Sequence, residues 1–244
     1  MDFNEIDELT RKLKALRPLT QTELARLSEE FVIENTYDSN AIEGNSLTLR
    51  ETALILKAGI TIGEKPLKDH LEAIGHRDAF AYVMTLAESQ TRLTERVIKE
   101  IHSLVLINDP LHKGVYRNIP VTITGASHTP PQPYLVPIQL ERLLAEYEVA
   151  PRGKHIIEAV SEFHLRFEGI HPFVDGNGRT GRLILNLELI KAGLLPVNIK
   201  YADRRKYYDC FDDYSNGKTA QALVGLIAGY EIQELARYIN ILER

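Results

Sequence analysis

One imidazole, one carboxylate, a glycine-flanked asparagine and two arginines fall within twelve residues, His171-Pro-Phe-Val-Asp175-Gly-Asn177-Gly-Arg179-Thr-Gly-Arg182. An imidazole that titrates near neutral pH can take a proton from an attacking hydroxyl. A lone carboxylate beside phosphate oxygens suits a hard divalent cation. Apolar residues resume with helical spacing at Leu183, Ile184, Leu187 and Ile190. The stretch therefore reads as a Gly-rich loop that turns into a helix, whose first backbone N–H groups point at an anion. Arg179 and Arg182 are three residues apart and share one face of that first turn. Cations are disfavoured at a helix N-terminus. A bound polyphosphate would remove the conflict. Pro172 and Phe173 read as a rigid turn and an apolar anchor.

Most of the elements that must position this loop are helical. Thr20-Gln-Thr-Glu23 and Thr48-Leu-Arg-Glu51 are capping boxes. The first opens a helix with Leu24, Leu27 and Phe31 on one face, ending near Gly44. The second leads to a stop at Gly59. Helical spacing continues over 67–86, from Thr94 to before Asp109-Pro110, and over 136–147, 155–167, 183–192, 203–214 and 219–242. One segment differs. Val121-Thr-Ile-Thr124 is β-branched throughout, and Gly125 to Pro131 supply turn chemistry, which predicts a short hairpin or extended flap near 120–131.

The chain has 244 residues, 44% of them hydrophobic and 26% charged, as in an ordinary globular protein. A net charge of −5 gives no global basic field for nucleic acid. The single cysteine, Cys210, excludes an internal disulfide and fits a reducing compartment. The acidic start lacks a signal-peptide core, and no apolar run reaches the ~20 residues of a membrane span. A cytoplasmic protein without membrane contact is expected.

The 171–182 string resembles the signature of the Fic family, His-Pro-Phe-x-Asp/Glu-Gly-Asn-Gly-Arg-x-x-Arg, at every defining position. The resemblance implies an all-α, Fic-type helical bundle with a short β-hairpin flap. It implies a nucleotidyltransferase that moves AMP from ATP, with Mg2+, onto a Ser, Thr or Tyr hydroxyl of a target protein. His171 would be the general base and Asp175 the Mg2+ residue. Gly176, Asn177 and Gly178 would offer backbone donors to the α-phosphate. Arg179 and Arg182 would hold the outer phosphates, with Thr180 and Gly181 in the same nucleotide loop. Thr122, Ile123, Thr124 and Gly125 stand in the place of the flap that covers the nucleotide and aligns the target as an added strand. Tyr207, Tyr208 and Asn216 are similar to adenosine-side positions.

Far upstream, Ser39-Asn-Ala-Ile-Glu43-Gly44 resembles the family's inhibitory motif, Ser/Thr-x-x-x-Glu-Gly/Asn. The resemblance implies that Glu43 pairs with Arg182 and fills the room that the γ-phosphate needs. A carboxylate late in a helix opposes the macrodipole and favours a cationic partner. Auto-modification follows as an expectation, and the same glutamate could place a water that removes AMP from a target. Residues 1–60 then form an N-terminal helical extension carrying the restraint, and residues 61–244 the catalytic domain. A homodimer is also allowed. The alternatives are a Fic-type transferase using another nucleotide or phosphate-containing donor, and a nucleotide-responsive binding module. A metal hydrolase built on His155, His164, His171 and Glu168 is weaker, because 164–171 crosses the Gly169–Pro172 turn.

Overall fold

Two helices buried on nearly every side, their polar residues included, form the centre of the structure. They are α7 (Ile156–Ile170) and α8 (Asn177–Lys191), joined by the signature loop. The computed structural model describes residues 3–123, 128–149 and 153–243. Phe163 and Phe167 of α7, with Leu183 and Leu187 of α8, face one core. Val160 and Leu165 of α7, with Leu185 and Leu189 of α8, face a second. The signature loop is thereby tied to both cores at once.

The remaining helices wrap this pair in chain order. They are α1 (Asn4–Ala15), α2 (Gln21–Ile42), α3 (Leu49–Ala58), α4 (Leu67–Glu88), α5 (Glu95–Val105), α6 (Val136–Val149), α9 (Arg204–Ser215) and α10 (Gln221–Leu242). α4, α5 and α6 close the first core, where Phe80, Ile101 and Leu140 meet Phe173 of the loop. α1, α9 and α10 close the second, through Ile6, Tyr207 and Ile227. Both capping boxes form: Thr20 accepts from the Glu23 amide and Thr48 from the Glu51 amide, and each glutamate accepts the threonine's N–H in return.

Several expectations need adjusting. α1 carries no side-chain N-cap, the local cue by which sequence marks a helix start. Leu24 is about half exposed, while Leu27 and Phe31 are buried. The hairpin expected near 120–131 is not seen among the described residues: Val121–Ile123 form no strand, and Thr124 and Gly125 lie outside them. A β-branched run needs a partner strand, and no neighbouring segment among the described residues supplies one. No described helix is long and apolar enough to cross a membrane.

Candidate active site

His171 ends α7 in the left-handed region, φ 49° and ψ 63°. A non-glycine residue there is held by its surroundings. Its amide donates to Phe167 O at 3.0 Å. Its Nδ1 is buried without a hydrogen-bond partner and lies 4.0 Å from Glu168 Oε2. Burial, with help from the charge of Arg117, lowers the imidazole to about 4, so it is neutral at physiological pH and free to accept a proton. Glu168 goes the other way: burial, then the Glu43 carboxylate, raise it to about 8 against the pull of Arg182.

The loop beyond His171 is locked from within. Asn177 turns its side chain back, accepting from Phe173 N and donating to Phe173 O, both at 2.9 Å. The Phe173 ring stacks on His102 with centroids 3.6 Å apart. His102 Nδ1 accepts from the Gly114 amide at 2.8 Å, which leaves Nε2 to donate to Asp175 O at 2.9 Å. Gly176 adopts φ +77°, and a Cβ there would press on His102. A Cβ on Gly178 would collide with Glu43 Oε1, so this glycine lets the glutamate reach the loop.

The two arginines find carboxylates. Arg179, almost wholly buried, lies 3.1 Å from Glu72 of α4 and 3.2 Å from Asp175. Arg182 donates through Nε to Ser39 Oγ at 3.0 Å, and through Nη2 to Ser39 O and Glu43 Oε1, each at 2.8 Å. The anion demanded by cations at the start of α8 is thus met by the chain's own acids. α2 is itself pinned: Asp38 accepts from Asn198 at 2.7 Å and from the Tyr201 amide at 2.9 Å, and Tyr208 OH donates to Ile42 O at 3.1 Å.

Asp175 is suited to a single-carboxylate cation site. Burial is outweighed by Arg179, the Gly176 amide and Lys68, so the carboxyl stays below its usual range. Oδ1 is taken by Gly176 N and Arg179. Oδ2 lies 3.8 Å from the exposed Lys68 ammonium, and the side chain is 48% exposed, so that oxygen is open to an ion. No cluster of three or more His, Cys, Asp or Glu residues able to hold a metal occurs among the described residues, so phosphate and water oxygens would complete the shell.

A cavity of about 780 Å³ opens over these groups. His171, Gly178, Arg182, Glu43, Thr122, Ile123, Tyr207 and Tyr208 line it. Asp175, Gly176, Asn177 and Arg179 stand outside its lining, and Thr180 and Gly181 are packing positions: Thr180 is fully buried, and Gly181 lets α8 approach His164 and Glu168. Tyr207 is buried beneath the cavity, its hydroxyl 2.7 Å from His164 Nε2. Asn216 caps α9, and Ser215 lines the cavity in its place, with Arg204, Phe211 and Asp212. Tyr208, Asp212 and Ser215 share one helical face, and Asn216 is rotated off it. Ser39, as expected from the upstream motif, sits on Arg182.

The profile of the Fic/DOC family matches residues 92–189. A protein adenylyltransferase Fic of Nematostella vectensis is 36% identical over 88% of the chain, which covers 50% of that protein; the chain spans about half the length of this curated relative. A Fic domain-containing signaling protein from Bacteroides thetaiotaomicron has a crystal structure similar at TM-score 0.88 and 30% identity, over 98% of this chain and 97% of that one. Fic-1 from C. elegans is similar at TM-score 0.88 and 28% identity, over 99% and 72%.

Proposed function

The chain belongs to the Fic/DOC family, and on that premise we propose that it is a protein adenylyltransferase restrained by its own Glu43. The convergence of His171, Arg182 and Glu43 on one cavity carries the reading. In the reaction a target Ser, Thr or Tyr hydroxyl gives its proton to His171. Nδ1 is buried beside Glu168, so Nε2 is the nitrogen left for that proton. The hydroxyl oxygen then bonds to the α-phosphorus, and the bond from that phosphorus to the bridging oxygen breaks, releasing pyrophosphate. The Gly178 backbone, the part of the 176–178 turn that lines the cavity, would meet the charge that develops at the α-phosphate. Asp175 would hold Mg2+, which neutralises the leaving pyrophosphate when bound.

Arg182 is the natural ligand of an outer phosphate, and Glu43 already occupies it. Residues 1–60 thus supply the restraint and 61–244 the catalytic machinery, with the 120–131 segment aligning the target. The same Glu43 carboxylate, which lines the cavity with His171, would orient a water for the removal of AMP, and a hydroxyl of the chain itself would serve as a target. The test is transfer from ATP labelled at the α- or the γ-phosphate to the Glu43→Gly protein, alone and with cell extract. Retention of only the α label supports AMP transfer; retention of only the γ label would replace it with phosphoryl transfer.

A further inference from the structure

Thr122, Ile123 and His128 stand in the cavity lining with His171. Ile119 and Pro131, before and after these three in sequence, both bond one side chain. Arg117 is 3% exposed. Its Nη1 donates to Ile119 O at 3.2 Å, and its Nη2 to Pro131 O at 2.6 Å. The same guanidinium reaches the end of α7: Nε donates to His171 O at 2.8 Å and Nη2 to Ile170 O at 3.3 Å. The Arg117 amide adds a bond to Pro172 O at 2.9 Å.

A guanidinium taken out of water is costly unless its donors are met. Here carbonyl oxygens meet them, those of Ile119 and Pro131 and two from the catalytic turn. A lysine ammonium could not span these positions, because it lacks the planar fork. The peptides on either side of the strained His171 are therefore held by the residue that also holds Ile119 and Pro131.

We propose that Arg117 is a positioning residue that sets the catalytic imidazole and the described residues flanking the cavity-lining Thr122, Ile123 and His128 as one unit, an assignment that rests on the adenylyltransferase reading. The target hydroxyl and its base are then placed relative to one another by a single side chain. The charge of Arg117 also helps keep His171 neutral, against the backbone of Glu168 and the charges of Glu43, which caps α2, and Asp175 of the loop, which all act in the opposite sense.

The test compares Arg117→Lys and Arg117→Met in the full chain. The first arm follows the His171 ring by NMR titration without nucleotide, so it needs no activity. Arg117→Met should move that titration upward by about half a unit or more, and Arg117→Lys should leave it in place. The second arm measures AMP transfer in the Glu43→Gly background. Arg117→Lys should lower kcat by about 10- to 100-fold with KM for ATP held within about twofold, the signature of misplacement rather than lost nucleotide binding. An unmoved titration in Arg117→Met together with parental kcat in Arg117→Lys overturns the proposal. If Arg117→Met fails to fold, parental kcat in Arg117→Lys alone overturns it. If the parent transfers nothing, the adenylyltransferase reading fails, and the titration still decides whether Arg117 sets His171.

Discussion

Arg182 Nη2 and Glu43 Oε1 meet at 2.8 Å across 139 residues of chain. The arginine is 6% exposed and the glutamate 32%, so the pair stands at the cavity edge with its cation buried and its acid reachable. Breaking a buried pair by removing one partner leaves an uncompensated charge. In the reading proposed above, an incoming triphosphate takes the place of Glu43, and this exchange would be the physical basis of the restraint.

Ser39 tests how the restraint is shared. It holds Arg182 through Oγ and through its carbonyl. Ser39→Ala removes only the first bond, to a charged donor. The initial rate of AMP incorporation should rise by about fivefold over wild type and stay below that of Glu43→Gly. A rate equal to wild type would confine the restraint to the glutamate.

The base should act without an acid limb near neutrality. Burial lowers His171 to about 4, and Glu43 works against that lowering, so its removal moves the group lower still. The pH–rate profile of Glu43→Gly should show no fall through pH 6.5, where a free imidazole titrates. A limb centred there would place His171 in a wetter setting than this one.

Glu168 makes stability pH-dependent. Its folded value is raised to about 8 from 4.5, first by burial and then by Glu43. A raised acid contributes fully below its unfolded value and loses that contribution as pH climbs to the folded one. Wild-type stability should therefore fall relative to Glu168→Gln between pH 4.5 and 8, and the gap should narrow in the Glu43→Gly background. Urea melts at pH 5 and pH 8.5 read this directly, and a gap that does not change with pH would contradict it.

Asn177 is a structural lock. Replacing it with alanine leaves the N–H and C=O of Phe173 without partners in a buried site. The expected cost is about 2–4 kcal/mol in urea unfolding, with nucleotide affinity falling only as far as the loop loosens.

The parts of the site that lie close together in sequence were legible there. His171 to Arg182 form one contiguous string, and Ser39 and Glu43 lie one turn of helix apart, so a resemblance to short motifs carries them. The long-range supports were not legible. His102 and Arg117 reach the loop from 73 and 54 residues away, and a single His or Arg in a helix or loop has no periodic signature. Glu72 is one acid on a long helix until α4 packs against α8 and brings it to Arg179. Asn216 caps α9 one residue beyond the cavity-lining Ser215, because helix phase decides which side chain faces a cavity. The β-branched run at Val121 carried strand propensity without a visible partner, and propensity alone does not make a sheet.

The most direct test is intact-mass spectrometry after incubation with Mg2+ and ATP, on wild type, Glu43→Gly and Glu43→Gly/His171→Ala, each with and without a cell extract as a source of targets. The account predicts added AMP on the chain or on extract proteins with Glu43→Gly, far less with wild type, and none with the double variant. Equal incorporation by wild type and Glu43→Gly would contradict the restraint, and incorporation by the double variant would remove His171 as the base.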